Sequence, residues 1–168
     1  MNKKIILTTI LLVSFCIFFV WKKMQNDKLV SEQKVQDNIE IEKEGLTKIQ
    51  VGDKELWVEV AETAEEKKQG LSNRASLAEN TGLLFSYDQP QTAVFWMKDM
   101  FFAIDIIWIA DNKIIGIEKN VLPPEPGALD KNLVSYPSPG PVDYVLEVNG
   151  GWCKRNRIEE GFSFFVRY

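Results

Sequence analysis

The segment IDIIWIA, residues 104–110, is apolar on both faces that a β-strand presents. Ile104, Ile106 and Trp108 alternate on one face, and Ile107 and Ile109 share the other with Asp105. Its β-branched and aromatic side chains suit a strand, and apolar character on both faces makes that strand an interior one. The chain must therefore lay a covering layer on each side of a sheet. Asp105 falls where burial is expected, and a buried carboxylate needs a partner. Lys98, just before the connection to this strand, is the expected one.

Other segments repeat the period-two pattern. TKIQV and ELWVEVA, joined across Gly52 and Asp53, read as a hairpin, with Ile49 and Val51 on one side and Leu56, Val58 and Val60 on another. TAEEKKQG carries a capping box, Thr63 with Glu66 three residues on, and ends at Gly70, so one short helix fits. GLLFSY, TAVFWMK, KIIGIEKNV, YVLEVN and FSFFVRY are further strands, with Asp111 and Asn112 as a hairpin turn. LPPEPGALDKNLVSYPSPGP is too rich in proline for a sheet centre and reads as a long loop. GGWCKRNRIEEG is a turn or short helix. The expected fold is mainly β: an antiparallel β-sandwich or partly closed barrel with one or two short helices, over residues 47–168.

Ahead of it stands the uncharged run IILTTILLVSFCIFFVW, residues 5–21, preceded by MNKK and closed by Lys22 and Lys23. It is long for a signal-peptide core, no small-x-small cleavage site follows, and Phe18, Phe19 and Trp21 suit a membrane interface. Residues 1–22 are therefore expected to be a signal-anchor with a transmembrane helix, a cleaved signal peptide being the alternative. Lipidation at Cys16 is disfavoured by Phe15, where a small residue is wanted. Residues 23–46 are polar and charged and read as a partly helical tether. The expected location is the bacterial cytoplasmic membrane, single-pass, with the globular domain outside the cytoplasm.

Composition excludes several functions. With 24 acidic residues against 20 basic ones, the net charge of −4 lacks the electrostatic footprint of a nucleic-acid binder. Histidine is absent, which removes Ser-His-Asp and Cys-His catalysis and every imidazole-dependent zinc site. Cys16 and Cys153 lie too far apart in the layout to form a disulfide, and Cys153 has no histidine to activate it, so an inert thiol is expected. No calcium-loop spacing occurs, and neither a metal nor a cofactor is expected.

The polar groups that remain converge on two arrangements. In one, Lys98 and Arg74 bind a polar or anionic ligand, Trp96 and Tyr136 stack on it, and Asp105 with Glu147 completes a polar mouth. In the other, Lys98–Asp105 and Arg74–Glu147 are ion pairs that close loops. Three functions remain open: a module binding a small polar or cell-envelope ligand, a structural partner of another envelope protein, and a hydrolase or isomerase using Asp105 and Glu147.

The strings GLSNR, LLFSY, FWMKDM, IDIIWI, VSYPSP, YVLEVNGG and IEEG resemble, in order and spacing, the domain-of-unknown-function 192 family over residues 47–167. Its pattern maps onto Gly70, Leu71 and Arg74, onto Gly82, Leu84 and Phe85, and onto Phe95, Trp96, Met97 and Lys98. Asp105, Tyr136, Glu147 and Gly151 complete it. The resemblance implies a compact β-rich domain with a short helix, in proteins often exported or membrane-anchored, and no settled activity. The sequence departs from the pattern in SNR, in KDMFFAID and at Phe162, where the family has an aspartate.

Overall fold

The computed structural model describes residue 18, residues 20–32 and residues 45–167. Two units are distinct, residues 1–44 and residues 45–168. In the first, residues 20–32 are helical and exposed, which includes residues 23–32 of the expected tether. Among the described residues no helix is long and apolar enough to cross a membrane. The expected span, residues 5–21, lies outside the described residues except for Phe18, Val20 and Trp21.

The second unit is built on one seven-stranded sheet. Strands β1 (Thr47–Val51) and β2 (Lys54–Ala61) form the expected hairpin, and helix α1 (Ala64–Gln69) follows with its capping box intact. Then come β3 (Thr81–Gln91), β4 (Val94–Trp96), β5 (Ile104–Ala110) and β6 (Lys113–Val121). After the proline-rich segment come β7 (Ser135–Pro137), β8 (Val142–Asn149), helix α2 (Trp152–Asn156) and β9 (Phe164–Arg167). The large sheet runs β6-β5-β8-β3-β2-β1-β9, and β4 and β7 make a separate two-stranded ribbon.

The sheet curls until its edges meet. Lys113 bridges Ser163, Ile114 N–H donates to the Phe162 carbonyl at 2.9 Å, and Phe164 N–H donates to that of Asn112 at 2.9 Å. Of the two expected architectures the partly closed barrel is the one that forms; the sandwich is not. One pair, β2 with β3, is parallel, because α1 carries the chain across between them. The turn at Asp111 and Asn112 forms as expected, with φ of 49° and 57°, the left-handed pair that a tight hairpin requires.

Two apolar layers cover the two faces. Ile49, Val51, Leu56 and Val58 share one layer with Leu84, Ile107, Ile109 and Leu146. The β1 and β2 rows thus lie on the same face, not on two sides as expected, because the hairpin register sets Ile49 opposite Leu56. Leu83, Phe85, Ile106, Trp108 and Val145 face the other layer, beneath the β4–β7 ribbon. Phe95 of β4 locks that ribbon down, edge-on to Phe85 at 4.7 Å and to Trp108 at 5.4 Å. Such pairs add ~0.5–1.5 kcal/mol each beyond area burial. Every residue of IDIIWIA but its last is buried, as two-sided cover requires.

Candidate functional site

Asp105 is fully buried, and its partners are backbone amides rather than Lys98. Its Oδ1 accepts from Asn120 N–H at 2.7 Å and Gly151 N–H at 2.8 Å, and its Oδ2 accepts from Cys153 N–H at 2.8 Å. Two features of the chain leave those amides free. The β5–β6 register shifts between Ile104 and Ile106, so Asn120, at φ 53°, drops out of the ladder. Helix α2 begins at Gly151, which has no side chain to cap it. One remote carboxylate serves both. Gly150 must be glycine for the same junction: a Cβ there would sit 2.9 Å from both the Ala103 Cβ and the Asn120 Oδ1.

Lys98 instead pairs with Asp130, from a 3-10 turn in the long loop. The expected Lys98–Asp105 pair does not form, because Asp105 turns into the barrel and the lysine turns outward to the loop. The pair is exposed, so Lys98→Ala is expected to leave the thermal midpoint of the domain essentially unchanged by calorimetry. Cys153 is buried, and burial followed by the neighbouring Asp105 pushes its thiol pKa well up, which suits the expected inert role.

Arg74 likewise has a partner other than the expected one. It forks onto Glu59 of β2, with Nη2 donating to Oε2 at 2.8 Å and Nη1 to Oε1. That pairing holds the Glu59 carboxyl below its ordinary value and raises the Arg74 guanidinium. Glu147, the expected partner, is left buried at 5% exposure with its Oε2 unpartnered among the described residues. Burial pushes its pKa up to about 8, with the Arg74 charge opposing the shift. Asp105 and Glu147 cannot act as a pair: Asp105 stands opposite Val148 and Glu147 opposite Ile106, so they point to opposite faces of the sheet.

Glu147 lines a cavity of about 290 Å³. Phe85, Tyr87, Phe95 and Trp96 supply its aromatic walls, and Lys67 and Lys68 of α1 line it as well. The cavity is framed by the loop after α1, stapled to the turn that follows β4: Ser72 Oγ donates to the Lys98 carbonyl at 2.8 Å and Asn73 N–H to that of Asp99 at 2.8 Å. Trp96 is 56% exposed, and burial followed by Glu147 pushes the Tyr87 pKa up to about 12. Tyr136 is not here. It lines a second cavity, about 270 Å³, with Met97, Leu122 and Val134. Of the six expected site residues, Trp96 and Glu147 line the first cavity and Arg74 stands behind Glu147; Lys98, Asp105 and Tyr136 lie elsewhere. Glu59 and Tyr87 lie on expected strands but are not among the expected site residues. Among the described residues no cluster of acidic or cysteine side chains could hold a metal.

A model for the DUF192 family, described as Uncharacterized ACR, matches residues 45–164. The chain belongs to this family. The match thus takes in β1 to β8, both helices and the ribbon, and stops at the first residue of β9. Two solved structures are similar to the chain. A protein from Sinorhizobium meliloti 1021, described as a "putative transcription regulator", is 28% identical with a TM-score of 0.65, covering 72% of this chain and 93% of its own. A protein of unknown function from Novosphingobium aromaticivorans is also 28% identical with a TM-score of 0.65, covering 71% of this chain and 84% of its own. No curated protein matches the chain significantly. Within the DUF192 signature, FWMK now divides by role: Phe95 and Met97 are packed, Trp96 lines the Glu147 cavity, and Lys98 ties down a loop.

Proposed function

We propose that this DUF192 protein is a membrane-anchored extracytoplasmic binding module that takes a small polar or envelope-derived ligand in the cavity over Glu147. The observation that carries the reading is a buried carboxyl whose Oε2 has no hydrogen-bond partner among the described residues, lining a cavity walled by four aromatic rings. The apolar run of residues 5–21, flanked by lysines, supports the anchor. The regulator description of the Sinorhizobium relative is not carried over, since a net charge of −4 disfavours a nucleic-acid partner. A carboxylate-pair enzyme loses its geometry with Asp105 and Glu147 on opposite faces.

A second reading, a structural partner for another envelope protein, rests on Leu122, Leu129 and Val134, which stand 65%, 58% and 64% exposed around the long loop. The test is a thermal-shift screen of the full chain against sugars, peptidoglycan fragments, amines, amino acids and anions. A ligand present at a hundredfold over its dissociation constant adds ~2.7 kcal/mol of stability, a shift of several degrees. The expected result is a hit that Trp96→Ala abolishes without unfolding the protein. Hits indifferent to Trp96→Ala would remove the cavity from the proposal.

A further inference from the structure

We infer that the cavity over Glu147 selects an organic ammonium, a ligand whose cationic nitrogen lies among the aromatic walls and meets the Glu147 carboxylate. This rests on the cavity being a binding site. Behind the cavity, Arg74 is closed onto Glu59 through both of its terminal nitrogens, so that cation is already committed. Glu147 is left as a carboxyl whose Oε2 has no hydrogen-bond partner among the described residues. Once ionised, its Oε2 lacks a donor, and an ammonium brings a donor and a positive charge to that oxygen.

The walls favour the same ligand. Phe85, Tyr87, Phe95 and Trp96 line the cavity, and the face of an aromatic ring carries a quadrupole that attracts cations and disfavours anions. The protein already uses one of them this way: Lys67 Nζ sits 4.9 Å from the Tyr87 ring centroid. Lys67 and Lys68, which also line the cavity, suit a ligand whose other end is neutral or anionic, and they oppose a dication.

Binding is then tied to a proton. Burial holds the Glu147 pKa at about 8, so in neutral solution an arriving ammonium drives the carboxyl to ionise and one proton leaves to solvent. The charged and titratable groups facing it are Arg74 and Glu59, which pair with each other, Tyr87, whose pKa is raised to about 12, and Lys67 and Lys68. Affinity should rise about tenfold per pH unit as pH climbs toward the Glu147 pKa, then level off.

The experiment is calorimetric titration of the full chain, in non-ionic detergent, with cyclohexylammonium, cyclohexanol and cyclohexanecarboxylate, three probes of one shape and different charge. Each is measured in buffers of different ionisation enthalpy. The expected result is ammonium binding roughly tenfold or more tighter than the alcohol, with about one proton released, and no binding of the carboxylate. Glu147→Gln should remove both the preference and the proton release while the protein stays folded. If the alcohol binds as well as the ammonium, without proton release, the ammonium class is overturned and the binding module survives. If no probe binds and the wider ligand screen is also silent, both fall.

Discussion

Asp105→Ala is expected to destabilise the DUF192 domain by ~4 kcal/mol, the largest single-site loss outside the apolar layers. The substitution removes the acceptor for three amides at once, those of Asn120, Gly151 and Cys153. The Cys153 bond is fully buried, and each buried donor left without a partner costs ~1–3 kcal/mol. Helix α2 has no side-chain cap of its own, so its first turn should loosen together with the β5–β6 irregularity. Asp105→Asn should lose roughly half as much: its carbonyl oxygen can still accept, but its amide nitrogen meets an N–H donor. Urea unfolding monitored by tryptophan fluorescence measures both. A loss for Asp105→Ala no larger than that of Lys98→Ala would show that the amides find other partners.

Glu147→Gln should act in the opposite direction near neutrality. The folded-state pKa of about 8 lies above the ordinary value of 4.5. Between those values the folded protein keeps a proton that the unfolded chain releases, so stability falls as pH rises through the window and levels off above it. Integrated from 4.5 to pH 7, the loss is about 3 kcal/mol. Glutamine keeps the shape and cannot ionise, so the slope should vanish from the variant. The variant should be the more stable protein at neutral pH, by up to ~3 kcal/mol less the cost of burying its own amide. Below 4.5 the advantage should disappear. Subtracting the pH profile of the variant from that of the native protein isolates Glu147 from every other carboxyl, Glu59 included. Parallel profiles would mean that Glu147 ionises freely in the folded state.

The two variants also separate two fates of a buried carboxylate. Asp105 is surrounded by donors and is part of the scaffold. Glu147 has an aromatic cavity in front of it and a guanidinium already engaged behind it. That contrast places the candidate site at Glu147 rather than at Lys98, the most conspicuous charge in FWMKDM.

Local patterns in the chain determined much of this. Alternation assigned Ile106 and Trp108 to one layer and Ile107 and Ile109 to the other. The Thr63–Glu66 capping box and the Asp111–Asn112 turn follow from interactions within a few residues, which is why they were legible. The family signature located the domain. Partners were another matter. Lys98 meets Asp130 from 32 residues away, and Arg74 meets Glu59 from 15 residues away on the other side of a helix. Asp105 reaches Cys153 across 48. No periodicity encodes such pairings, because a strand pattern states which face a side chain takes and not what the curled sheet brings opposite it. Whether a carboxylate becomes a cap or a site depends on what desolvates it and which donors arrive with it, and those are set only when the sheet edges close and the β4–β7 ribbon folds over its outer face.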